Sequence, residues 1–168
     1  MNLRKWTLLI LGILAAISLI SGCGGDKKAD KKPEYLRYVI GEDPQSLDPR
    51  KALGVPEGTV LYQIYEGLLT YDKKGNLVPG VAESWEVSAD GLTYTFKLRD
   101  NARWSNGEPV TAKDFVYSWK STLSPELASK YAEQLYIIKG GKAYNHGQSN
   151  ADAVAVMAKD DHTLTVTL

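Results

Sequence analysis

The sequence predicts a mixed α/β fold on three observations. Leu92, Tyr94, Phe96 and Leu98 alternate with Thr93, Thr95, Lys97 and Arg99, and a period of two marks a half-buried strand. Thr111, followed by Asp114, opens an apolar stripe of Phe115, Val116, Trp119 and Leu123 at helical spacing. A hydroxyl at the N-cap and a carboxylate in the first turn suit the positive end of a helix. Val154–Ala158 and Thr163–Leu168 form a final hairpin across Lys159, Asp160, Asp161 and His162. Between the first strand and its helix, Asn106-Gly107 signals a turn. Trp104 and Trp119 read as packing anchors.

The remaining elements follow in chain order. Tyr35 to Ile40 reads as a short strand, and Gly41 to Pro49 as a loop broken by Asp43-Pro44 and Asp48-Pro49. Lys51 to Gly58 is a second loop, whose Pro56 suits the first turn of a helix over Glu57–Glu66. Val60, Leu61, Ile64 and Tyr65 share the face expected to be buried there. Leu68 to Tyr71 is a strand, Lys73 to Asn76 a turn, and Leu77 to Ser84 a loop with one helical turn. Trp85 to Val87 pairs with the Leu92 strand across Ala89-Asp90-Gly91. Pro125 to Leu135 predicts a short helix, and a further helical turn centres on Lys142–Tyr144. The last strand alternates up to Leu168, which leads us to expect an N-terminal fragment of a longer protein.

Composition narrows the function classes. The 168 residues are 43% hydrophobic and 24% charged, ordinary for a globular protein. The 20 basic and 20 acidic side chains balance, and no basic stripe interleaves with aromatics, so nucleic acid is not an expected partner. One cysteine excludes an internal disulfide. His146 and His162 sit at predicted turns, and the Asp160-Asp161-His162 run is turn chemistry in preference to a metal site. There is no nucleophile elbow, no phosphate-binding glycine loop and no acid/base pair, so no enzyme, cofactor or metal is expected.

The N-terminus reads as an address. Arg4 and Lys5 precede an apolar run from Trp6 to Ile20, short for a membrane-spanning helix but suited to a signal peptide. Leu19-Ile20-Ser21-Gly22-Cys23 resembles the bacterial lipobox. That resemblance implies a signal peptide over 1–22, a diacylglyceryl group on Cys23 and a lipid anchor on the extracytoplasmic face of the cell membrane. Residues 23–34, lysine-rich and polar, form a flexible tether.

Taken together, SLDP (46–49), YEGLLTYD (65–72), PGVAESW (79–85), TYTFKLRDNARWSNGEPVTAKDFVYSW (93–119) and DDHTLTVTL (160–168) resemble the peptide-binding lipoproteins of bacterial ABC importers, the oligopeptide- and dipeptide-binding kind. The resemblance implies an α/β, periplasmic-binding-protein-like two-lobed fold with an extra domain, here reduced to its N-terminal part. Residues 35–65 would begin the first lobe, and 66–168 would be most of the extra domain. It implies capture of oligopeptides and delivery to membrane permease subunits. Two places match positions lining the family's cleft. One is Leu53-Gly54-Val55-Pro56-Glu57, where Val55 corresponds to a residue making main-chain bonds to peptide. The other is Tyr131. Leu53 stands where some oligopeptide receptors carry a glutamate facing the ligand. Same-fold receptors for nickel chelates or oligosaccharides share these motifs, and a non-binding truncated remnant is the reading from a different class.

Overall fold

The computed structural model describes residues 35–168; the leader, Cys23 and the tether lie outside the described residues. Val39–Leu168 form one packing unit, and Tyr35–Tyr38 fall outside it. The expected strand at 35–40 is not formed. Leu36 and Val39 lie exposed, and a strand without a neighbour leaves its N–H and C=O groups to water.

The centre is a four-stranded antiparallel sheet. It comprises β3 (Ala82–Val87), β4 (Thr93–Leu98), β5 (Val156–Asp160) and β6 (Thr163–Thr167), in the order β3-β4-β6-β5. Trp85 lies opposite Phe96, and Phe96 opposite Leu164. Val166 lies between Tyr94 and Val156, so the apolar positions of β4, β5 and β6 share one face. Helix α2 (Ala112–Thr122) packs on this layer against β5 and β6. Phe96, Leu98, Val156, Leu164 and Val166 from the sheet join Ala112, Leu123, Ile138 and Val154 in one buried cluster. Phe115, Val116 and Trp119 pack at its edge. The cap of α2 follows from its first residues: the Asp114 carboxylate accepts both the Thr111 N–H, at 2.7 Å, and the Thr111 hydroxyl, at 3.0 Å.

Several elements differ from expectation, each for a local reason. Leu77–Pro79 is a strand, β2, paired with β1 (Leu69–Tyr71), where a loop with a helical turn was expected. Pro79 ends β2, where its missing N–H does little harm to the ladder. β3 starts at Ala82, three residues before the expected Trp85, and a register shift between Ala82 and Ser84 breaks the period-two alternation over those first residues. Pro125–Leu135 forms no α-helix, only a 3-10 turn at Ala132–Leu135. Ala128 has φ 52°, a left-handed conformation that interrupts a right-handed helix. Trp104 is half-exposed and anchors little, whereas Trp119 packs on the core.

The helix expected at Glu57–Glu66 runs instead over Val55–Ile64, α1. Its expected buried face is only partly covered: Val60 and Leu61 are half-buried, Ile64 and Tyr65 are exposed, and Glu57 is the only buried residue of the helix. The short helix α3 (Gly141–Asn145) starts after Gly140, whose φ of 83° suits glycine. A Cβ there would also fall 2.0 Å from the Ala153 carbonyl oxygen. Among the described residues no helix is long and apolar enough to cross a membrane.

Candidate functional site

The turn at Asp48 sets the direction of the segment that enters the site. Pro49 suits the second position of a turn, and the Asp48 carbonyl accepts the N–H groups of Lys51, at 2.9 Å, and Ala52, at 3.0 Å. The chain then extends through Leu53 and Gly54, where φ is −124° and ψ 178°, and enters α1 at Val55. Val55, Pro56 and Glu57 are therefore first-turn residues and not loop. A helix leaves its first N–H groups without intrahelical partners. Val55 is 81% exposed and Pro56 has no N–H to give, so Val55 offers the outermost donor of α1.

Glu57 fixes the geometry from beneath. Its side chain is turned inward, and Oε1 accepts the Gln45 N–H at 2.8 Å. That bond, together with N–H groups of the helix start, holds its carboxyl below the ordinary carboxylate range against the opposing cost of burial. Gly54 leaves room for this carboxylate: a Cβ built on it would lie 2.6 Å from Glu57 Oε2, so a larger residue would require that side chain to shift.

On the far side, the Tyr131 hydroxyl donates to the Leu53 carbonyl at 2.8 Å. The result is an open hollow of about 550 Å³, lined by Ala52, Leu53, Gly54, Val55, Gly58, Thr59, Tyr62 and Tyr131. The four residues singled out in the sequence as ligand contacts, Leu53, Gly54, Val55 and Tyr131, thus line one concavity although Tyr131 is 78 residues from Leu53. Ala52, on the approach to α1, was missed, as were Gly58, Thr59 and Tyr62 of the helix itself. With Val55, the three helical residues sit at i, i+3, i+4 and i+7, one face of a helix. The sequence reading chose the opposite stripe, through Val60 and Ile64, because that stripe is the more apolar. Tyr62 is exposed and presents its ring to the hollow's edge.

Chemically, the hollow is a surface of backbone groups, glycines, aliphatic carbon and two phenols. None of its lining side chains is a carboxylate, an amine, a guanidine, an imidazole or a thiol. Such a surface suits backbone hydrogen bonding and apolar contact, not acid/base or nucleophilic chemistry. Among the described residues no group of three or more His, Cys, Asp or Glu side chains could hold a metal ion. His162 and His146 lie elsewhere. His162 Nδ1 is 3.5 Å from Asp100 Oδ1, and His146 packs edge-on against Tyr136.

Comparison with known proteins defines the class. The chain superposes with a TM-score of 0.73 on the Escherichia coli murein tripeptide binding protein MppA, at 44% identity, covering 76% of this chain and 25% of that one. It superposes with a TM-score of 0.72 on Haemophilus influenzae OppA in complex with RPPGFSPFR, at 45% identity, covering 76% of this chain and 25% of the other. The fold is thus the α/β fold of periplasmic peptide-binding proteins, over about a quarter of their length. The profile of the bacterial extracellular solute-binding proteins, family 5 middle region, matches residues 76–168. The chain belongs to this family of extracellular solute-binding proteins. It is 42% identical to the oligopeptide-binding protein OppA of Bacillus subtilis over 98% of this chain, and it spans about a third (32%) of that relative's length.

Proposed function

We propose that this chain is part of the substrate-capturing component of an ABC importer, which binds oligopeptides outside the cytoplasm and delivers them to membrane permease subunits. The single observation that carries the proposal is the hollow. It brings Leu53, Gly54, Val55 and Tyr131 together as a surface fit for an extended peptide. Peptide binding by strand-like backbone pairing draws on main-chain groups, and this surface offers the Val55 N–H beside uncharged walls. Relatives that carry oligopeptide- and dipeptide-binding names support the same reading. In this scheme residues 35–65 begin the first lobe, and 66–168 form most of the extra domain. The protein is a binding protein and not an enzyme. Its leader, residues 1–22, is removed, and Cys23 carries the lipid that holds it at the extracytoplasmic membrane face through the tether of residues 23–34.

The test is a hybrid in which residues 35–168 replace the matching stretch of the Bacillus subtilis relative. Titration calorimetry with mixed short peptides should give saturable heat. Absence of that heat, with a response to a nickel chelate or an oligosaccharide instead, would defeat the peptide reading. For the anchor, radiolabelled palmitate should enter the wild-type chain and not Cys23→Ala; equal labelling of both would contradict lipidation at Cys23.

A further inference from the structure

We infer that Arg50 is a positioning residue for the candidate site, fixing the turn from which Leu53–Val55 are presented to the hollow. The inference rests on reading that hollow as part of a ligand site. Arg50 stands outside the lining and makes its contacts backward and sideways. Its Nε and Nη2 donate to the two oxygens of Asp48, at 2.9 and 2.7 Å. Its Nη1 donates to Ser121 Oγ on α2 at 2.8 Å, across 71 residues of sequence. The same nitrogen is 3.4 Å from the Tyr117 hydroxyl, and the guanidinium carbon is 5.8 Å from the Tyr117 ring centroid. The backbone N–H of Arg50 also donates to Asp48 Oδ1, at 3.0 Å.

The segment 48–54 needs such a tie. It has no strand or helix of its own, and none of its side chains is buried. Its position is therefore set by polar links. Those to distant parts of the chain are Arg50 to Ser121 and Tyr117, and the Leu53 carbonyl to Tyr131. α2 is a firm anchor, because it begins at buried Ala112 and is followed by fully buried Leu123. A guanidinium suits the task since its planar fork meets both oxygens of a carboxylate and still has a donor for a third group. A lysine ammonium is a point donor and cannot hold that bidentate geometry. A partly exposed ion pair adds little to global stability, so the role should show in local geometry and not in the unfolding midpoint.

The experiment compares amide shifts and hydrogen exchange in the full 168-residue chain, with mild detergent for the apolar run Trp6–Ile20. The proteins are wild type, Arg50→Met, Arg50→Lys and Ser121→Ala. Arg50→Met should speed exchange at Lys51 and Ala52 at least about tenfold and shift the Gly54 and Val55 amides, leaving β4 and β6 amides unchanged. Arg50→Lys should fail to restore protection. Ser121→Ala, which removes one acceptor and no packing, should move the same amides by less. Unchanged Lys51–Val55 amides in both Arg50→Met and Ser121→Ala would overturn the inference. So would changes spread equally over β4 and β6, which would mean general loosening. These readings need no ligand, so failure of the peptide hybrid to bind would sink the functional reading and leave the result on Arg50 separately decided.

Discussion

Tyr131 and Asp48 show how single side chains shape the site. Replacing Tyr131 with phenylalanine removes only the bond to the Leu53 carbonyl and leaves the ring. Because that bond is open to water, the expected cost is about 0.5–1 kcal/mol in chemical denaturation, with a clear shift of the Gly54 amide. Asp48 gives the pH dependence. Hydrogen bonding from the Arg50 side chain, outweighing the cost of burial, lowers its pKa from the ordinary 3.8 to about 2. A depressed carboxylate contributes stability that is present above its unfolded value and lost as pH falls through the folded one. The tie between the Asp48 turn and α2 should therefore hold above about pH 4 and weaken between about pH 4 and 2. Following the Ala52 amide through that range checks the prediction, and Asp48→Asn should flatten the profile. Sequence alone treated Asp48 as a loop residue beside a proline. The Asp48–Arg50 pair is local, but the groups through which Arg50 ties it to α2, Tyr117 and Ser121, lie about 70 residues away, beyond any local pattern.

At the scale of elements, α2 and its cap were the most legible part of the chain. Thr111, Asp114 and the stripe through Phe115, Trp119 and Leu123 each specify the same helix, and local and tertiary preferences agree there. Asp114→Ala should cost about 1 kcal/mol by leaving the Thr111 N–H without its capping-box acceptor. Leu123→Ala should cost about 2–5 kcal/mol, since Leu123 is fully buried among sheet and helix residues. Equilibrium urea unfolding checks both, and a cost for Leu123→Ala below that of Asp114→Ala would contradict this view of the core. Elsewhere local signals and packing diverge. The bulge in β3 hid its first residues, Pro79 disguised β2 as loop, and the left-handed Ala128 cut short a helix that its neighbours favoured. In α1 the apolar stripe was legible, but a stripe does not say what covers it. The face that lines the hollow proved to be the other one.

At the scale of the whole molecule, the candidate site is a surface assembled from the start of α1 and a segment near Tyr131, both outside the strongly patterned 92–120 stretch. Sequence reasoning reached Val55 and Tyr131 through resemblance, and the fold brings them to one hollow. An open hollow cannot enclose a ligand on all sides, so the 168-residue chain alone should bind short peptides no tighter than about millimolar. The most direct measurement uses the hybrid with the Bacillus subtilis relative and asks whether the Val55 N–H holds peptide. Val55→Pro deletes that donor with little strain, because proline suits the first position of a helix and Gly54 already has the extended backbone that precedes proline. Calorimetry should show Val55→Pro weakening peptide binding by about tenfold or more, with Val55→Ala close to wild type. Unchanged affinity in Val55→Pro would contradict the central claim that this hollow grips peptide through its main chain.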